Sequence, residues 1–192
     1  MKVRTVATGL TILFVAVSAM AQNNGANTRG VEGTLSATAD ANQGESQSTR
    51  DKMFLREAAE TGLAAVQLSQ LAVQKAGSDE VRQLAQKIVH DRIVLNESMS
   101  PIADEMGVRS PTKLGRRDHA ELGKLSSLSG EAFDREYLVY LVKSHRADQK
   151  AFRDEEKKVT DAGLKSVVDR ALTAIDENLT LLERLAAARG IK

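Results

Sequence analysis

The chain has no cysteine and no tryptophan, and among its 192 residues only two prolines, two tyrosines and four phenylalanines. Without cysteine it can form no disulfide and carry no lipid on an N-terminal Cys, so an exported form must rely on its packed core alone in an oxidising compartment. With so few aromatics, that core has to be built from Leu, Val, Ile and Ala. An excess of charge of either sign is also missing. The formal net charge is +1, which gives no electrostatic reason for a nucleic-acid partner or an anionic lipid surface. No glycine-rich phosphate loop is found. Long apolar runs are absent too, apart from Val6 to Val17, which is short of the ~20 residues that cross a bilayer comfortably.

That run has secretory context. Lys2 and Arg4 give a basic start, and Ala19-Met20-Ala21 forms an A-x-A cleavage site before Gln22. The layout predicts a signal peptide over 1–21, removed near Ala21, and a mature protein in a bacterial periplasm or the medium, with no transmembrane anchor. Removal of Lys2 and Arg4 takes the net charge from +1 to −1. Residues 22–50 are Gly, Asn, Ser, Thr, Gln and Ala with scattered charge and no apolar period, the composition of a disordered leader. Residues 51–192 suffice for one domain with a core of its own.

Every strong period in that domain is helical. The first helix runs from Asp51 to Ala76 and stops at Gly77. Ser78 is a good N-cap for the second, with Asp79 and Glu80 at the positive end of its dipole. The second helix reaches Met106, bent at Pro101, which removes a backbone hydrogen bond. Residues 107–129 hold glycines, Pro111 and a short helix. Gly130–Val159 and Asp161–Arg189 make the third and fourth long helices. Two tight hairpins joined by a long crossover are the wiring of an all-α, ferritin-like antiparallel four-helix bundle. An up-down-up-down bundle stays open if the crossover folds back. On the first helix Ala58, Gly62, Ala65, Ser69, Ala72 and Ala76 form a small-residue stripe that admits a close neighbour.

Polar residues interrupt the apolar seams. Val81, Ala85, Ile88, Arg92, Leu95, Met99, Ile102 and Met106 recur in steps of four and three, so Arg92 occupies a core position. The third helix repeats the pattern with Leu138, Leu141, His145, Asp148, Phe152, Glu155 and Val159. The fourth does so with Leu164, Val168, Ala171, Ile175, Asn178, Leu182 and Leu185. At ~1.5 Å per residue, Arg92 lies roughly 22 Å from the first hairpin turn, and His145 and Asn178 about 24 Å from the second. On helices roughly 40 Å long that puts all three at mid-height, level with Thr61 and Ala65, in one polar layer.

A buried guanidinium needs a partner, since an isolated internal charge costs several kcal/mol. Asp148 is the best placed, with a bidentate contact expected. Glu155 lies deeper toward the turn and Glu57 at the edge of the first helix's face. His145 would bond Asp148 or Asn178, and Tyr137 would close the network. Plainer readings stand beside these. His145 can be a satisfied core histidine, and Arg92 can snorkel past a short side chain into solvent. The runs Arg153–Lys158 and Arg116-Arg117-Asp118 read as solvated faces. His90 points outward and His119 lies in the crossover. Nucleophilic hydrolysis is poorly supported, because Ser144 adjoins His145 and the two point about 100° apart on a helix.

From Phe54 onward the stretches "FLREAAETGLAAVQLSQLA", "VRQLAQKIVHDR", "LSGEAFDREYLVYLVKSH" and "ALTAIDENL" make the chain resemble a bacterial family of exported ferritin-like domains. It is named domain of unknown function 4142, and its members are often labelled outer-membrane proteins. The resemblance implies ligand positions: a glutamate on the first helix, an Asp-His pair on the second, and a histidine on each of the third and fourth. This chain has Ala65, Asp91-Arg92, His145 and Asn178 there, and Thr173 where a proline is usual. Asp134 and Tyr137 of the Leu128–Tyr137 block are kept. The Glu-x-x-His motif of a di-iron site is absent. The expectation is therefore a non-catalytic exported bundle without a cofactor, in which Arg92 stands in for a metal by neutralising Asp148. Its role would be interaction, with an unknown protein or with itself, or envelope maintenance under stress. The alternative is a metal-binding or redox protein holding a single divalent ion with His145, Asp148, Asp91 and Glu57. A further possibility, an apolar ligand or partner helix on the small-residue stripe, stays open.

Overall fold

The computed structural model describes residues 29–191, with side chains from residue 44 onward except residue 45. The signal-like segment lies outside the described residues. The helices among the described residues are α1 (Arg29–Lys75), α2 (Asp79–Glu105), α3 (Arg116–Ser126), α4 (Gly130–Glu156) and α5 (Ala162–Ala188). Residues Ala39–Lys192 form one compact unit, and the chain before them is a separate one. Residues 29–50, expected to lack order, are helical in α1. The first buried side chain among the described residues is nevertheless Asp51, where the apolar period begins.

The helix ends follow local chemistry. Ser78 caps α2, its hydroxyl accepting from the Val81 amide, and Asp161 caps α5 by accepting from the Leu164 amide at 2.7 Å. Gly107, at φ +73°, closes α2 in the left-handed region that favours glycine. The small-residue stripe of α1 is buried throughout. A Cβ on Gly62 would stand 2.5 Å from Asn96 Oδ1 of α2, so α2 approaches α1 closely because of that stripe.

α1 packs on α4 through the edge-to-face rings of Phe54 and Phe152, 4.8 Å apart, and α5 packs on both α2 and α4. Ala76 bridges to Gly130 at the start of α4, and Arg189, after α5, donates to Ser78 Oγ at 2.7 Å. Helices α2 and α4 therefore start at the same end, and the crossover carrying α3 has run the length of the bundle to return there. That wiring is ferritin-like and disposes of the up-down-up-down alternative.

The core comes in two parts. One gathers Leu68, Ala72, Val81, Ala85, Ile88, Phe133, Leu138, Leu141 and Leu182 near the α1–α2 turn. The other gathers Phe54, Leu55, Met99, Phe152, Leu164, Val168 and Ile175 toward the α4–α5 turn. Between Ile88 and Met99, Leu141 and Phe152, and Ile175 and Leu182, the helices place Arg92, His145 with Asp148, and Asn178. A polar layer divides two apolar cores, as the heights along the helices predict.

Candidate functional site

Arg92 is 2% exposed and Asp148 5%. The two meet across the bundle diagonal, Arg92 Nη2 donating to Asp148 Oδ2. This excludes the snorkelling route. It also corrects the expected bidentate contact: only one guanidinium nitrogen is engaged, and buried Nη1 makes no hydrogen bond.

His145 is fully buried, and its Nδ1 lies 3.0 Å from the Leu141 carbonyl one turn earlier. A carbonyl only accepts, so Nδ1 carries the proton and Nε2 is a bare lone pair. Burial, and then the Arg92 charge, lower the His145 pKa to about 3, so the ring stays neutral. Its Nε2 is buried and unpartnered. His145 thus bonds its own backbone rather than Asp148 or Asn178, because the i−4 carbonyl is within reach and Asp148 is held by Arg92.

Asn178 donates through Nδ2 to Asp91 at 2.8 Å, and Lys87 donates to the same carboxylate oxygen at 2.7 Å. Asn178 Oδ1 is buried and unpartnered. Tyr137 does not close the network. It lies two turns above His145, with its hydroxyl 2.8 Å from Ser69 Oγ of α1; burial pushes its pKa up, partly offset by that bond.

The donors proposed for a weak metal site are engaged by other groups or exposed. Asp148 is held by Arg92, Asp91 by Lys87 and Asn178, and Glu57 is exposed on α1. Among the described residues no group of three or more His, Asp or Glu could hold a metal ion. A guanidinium on the layer's carboxylate also repels a cation from the neighbouring imidazole. The donor set does not fit the metal that the family resemblance implies. Beside Asp148, where Ala65 leaves room, a cavity of about 240 Å³ opens between α1, α3 and α4, flanked by Glu57, Tyr140 and Lys143.

Three features escape the sequence reading. Asp134 accepts from the Gly77 amide and the Ser78 hydroxyl, each at 2.8 Å, clasping the α1–α2 turn to α4. A Cβ on Gly77 would lie 2.5 Å from the Gly130 carbonyl carbon. Much of the Leu128–Tyr137 block is therefore a clasp. The Arg116-Arg117-Asp118 run is not simply solvated, since Tyr140 donates to Asp118 and the Arg117 guanidinium sits 5.8 Å from the Tyr140 ring centroid. Within the Arg153–Lys158 run, Glu155 is buried at 6% exposure against Asp51. Glu155 stood in the α4 seam, so half of that carboxyl pair was legible; Asp51 stood at the domain boundary and was not.

A family model for domain of unknown function 4142 matches residues 35–185. The chain belongs to this DUF4142 family. No curated protein matches it. Solved structures share the fold. A DUF305 protein from Streptomyces coelicolor, described as an inferred secreted protein, aligns with TM-score 0.63 and 21% identity over 72% of this chain and 91% of its own. A DUF305 fragment from Deinococcus radiodurans gives 0.64 and 14% over 72% and 96%. CopM in an Ag-bound form gives 0.61 and 15% over 72% and 96%. At these identities the likeness is one of fold. In this chain the polar layer is organised around Arg92.

Proposed function

We propose that this DUF4142 chain is an exported, non-catalytic helical bundle whose Arg92, paired with Asp148, occupies a ligand position that the family resemblance implies. Its role is interaction or envelope maintenance rather than chemistry. The observation that carries this reading is the buried guanidinium on Asp148 between two apolar cores, beside a neutral His145. Export rests on the basic-apolar-small layout of residues 1–21 and is supported by the secreted description of the Streptomyces coelicolor neighbour. No helix among the described residues is long and apolar enough to cross a membrane.

A second reading is kept for one specific reason. His145 Nε2 is a buried lone pair without a partner, and the CopM neighbour is a silver-bound structure. Calorimetric titration with Ag(I), Zn(II) and Mn(II), wild type beside Arg92→His, separates the two. The substituted-cation reading expects no stoichiometric binding by wild type and a gained site in Arg92→His. Stoichiometric binding by wild type overturns it.

A further inference from the structure

The cavity of about 240 Å³ beside Asp148 lies against α1, α4 and the first turn of α3. It is open because the side chains facing each other there are small: Ala64 and Ala65 on α1, Ser144 and Ala147 on α4. We propose that this cavity binds a small zwitterion of the dipeptide class, its ammonium toward Glu57 and Asp148 and its carboxylate toward Lys143 and Arg117. The site uses no metal, so the inference goes beyond the proposed function and stands independently of it.

The register of two helices sets the ends of the cavity apart. Phe54 packs on Phe152, and Ser69 bonds Tyr137, so α1 and α4 run antiparallel with Glu57 level with Gln149 and Ala65 level with Leu141. Glu57 and Asp148 therefore share one end. Lys143 lies about six residues, or roughly 9 Å, along α4 from the level of Glu57, and Tyr140 lies one turn further. Tyr140 donates to Asp118 and carries the Arg117 guanidinium on its ring. Those two contacts fasten the start of α3 at the far end and place a cation there.

Charge selects the occupant. Neighbouring ions on the same helices are paired, Arg56 with Glu60, Arg146 with Glu183 and Lys150 with Asp154. Among the described residues, neither Glu57 nor Lys143 forms an ion pair or a side-chain hydrogen bond. At the first end Arg92 balances Asp148, and Glu57 leaves that end net negative. At the other end Lys143 and Arg117 outweigh Asp118. A simple anion is repelled by Glu57, a simple cation by Lys143 and Arg117, and a neutral molecule uses neither. A zwitterion satisfies both ends. Asp148 adds an acceptor at the ammonium end, since a carboxylate has about four lone-pair positions and Arg92 Nη2 fills one. The ~9 Å between the ends, less one contact of about 2.8 Å at each, suits charges a few bonds apart, as in a dipeptide. The volume falls below the ~300–1,000 Å³ of sites for drug-sized ligands, so the occupant is small.

The test is isothermal titration calorimetry of the purified protein, with amide shifts followed by NMR. The probes are L-alanyl-L-alanine, its N-acetylated form and its C-terminal amide. The expected result is saturable binding of the free dipeptide that weakens roughly fivefold or more when either end is blocked, with shift changes centred on Thr61, Ser144 and Ala147. Glu57→Gln and Lys143→Gln alter exposed side chains and should each weaken binding roughly two- to fivefold. Ala147→Leu, also at an exposed position, should abolish binding by filling the cavity. A blocked form binding as tightly as the free dipeptide, shift changes centred elsewhere, or no saturable binding at about 10 mM probe overturns the site. None of these results touches Arg92 or metal content, so the proposed function stands or falls separately.

Discussion

Replacing Asp148 by alanine strands Arg92 among apolar neighbours. Nη1 already lacks a partner, so removal of Oδ2 takes away the guanidinium's sole side-chain hydrogen bond. Breaking one side of a buried pair costs about 3–5 kcal/mol, a large share of the roughly 5–15 kcal/mol that holds a domain folded. The cavity beside Asp148 lets water approach the new gap, which favours the lower half of that range. For a domain of this size the melting temperature should fall by about 6–20 °C. Urea unfolding followed by circular dichroism measures the free energy, and calorimetry the melting point. Arg92→Met combined with Asp148→Leu should recover most of the loss, because exchanging both charges for apolar volume is often neutral or stabilising. A loss below about 1 kcal/mol in Asp148→Ala would refute the reasoning, since Arg92 must then reach water.

Burial, and then the hydrogen bond and charge of Asp51, raise the Glu155 pKa from 4.5 to about 7, against lowering by Lys158 and Arg50. Its contribution to stability is thus complete below about pH 4.5 and lost as the pH rises through about 7; Glu155→Gln should remove that slope from a stability-against-pH curve. His145 runs the other way. With its pKa lowered from 6.5 to about 3, the unfolded chain takes up a proton that the folded ring refuses, so stability drains as the pH falls from about 6.5 toward 3. Its ring signals in NMR should show no titration near 6.5 and move only as the pH approaches about 3. Gly77→Ala forces a methyl against Gly130 and should cost about 1–3 kcal/mol, and Asp134→Ala a similar about 1–3 kcal/mol by leaving the Gly77 amide bare; urea unfolding would show both.

The helices were legible because Gly77, Ser78, Gly107, Gly130 and Gly190 punctuate strong periods, and the mid-height layer followed from counting rises along them. Arg92's partner was legible as well, since a buried cation restricts the choice to carboxylates at its own level. Hydrogen-bond choices within the layer were not. A helical histidine can turn to its own i−4 carbonyl or to a side chain, and spacing does not distinguish the two; His145 took Leu141. Tyr137 lay on the right face but two turns away, where Ser69 was nearer. The Asp134 clasp joins residues more than fifty positions apart, which no local pattern signals. Asp51 sits where the apolar period begins, so its burial against Glu155 depends on α4 and not on its own neighbours.

The most direct test of the central claim is elemental analysis of the wild-type protein purified, without chelators, from cells supplied with iron, manganese, zinc and copper. A guanidinium that has taken the metal's place predicts far less than one equivalent of any of these per chain. One equivalent retained through purification, and lost on substitution of His145, would contradict it.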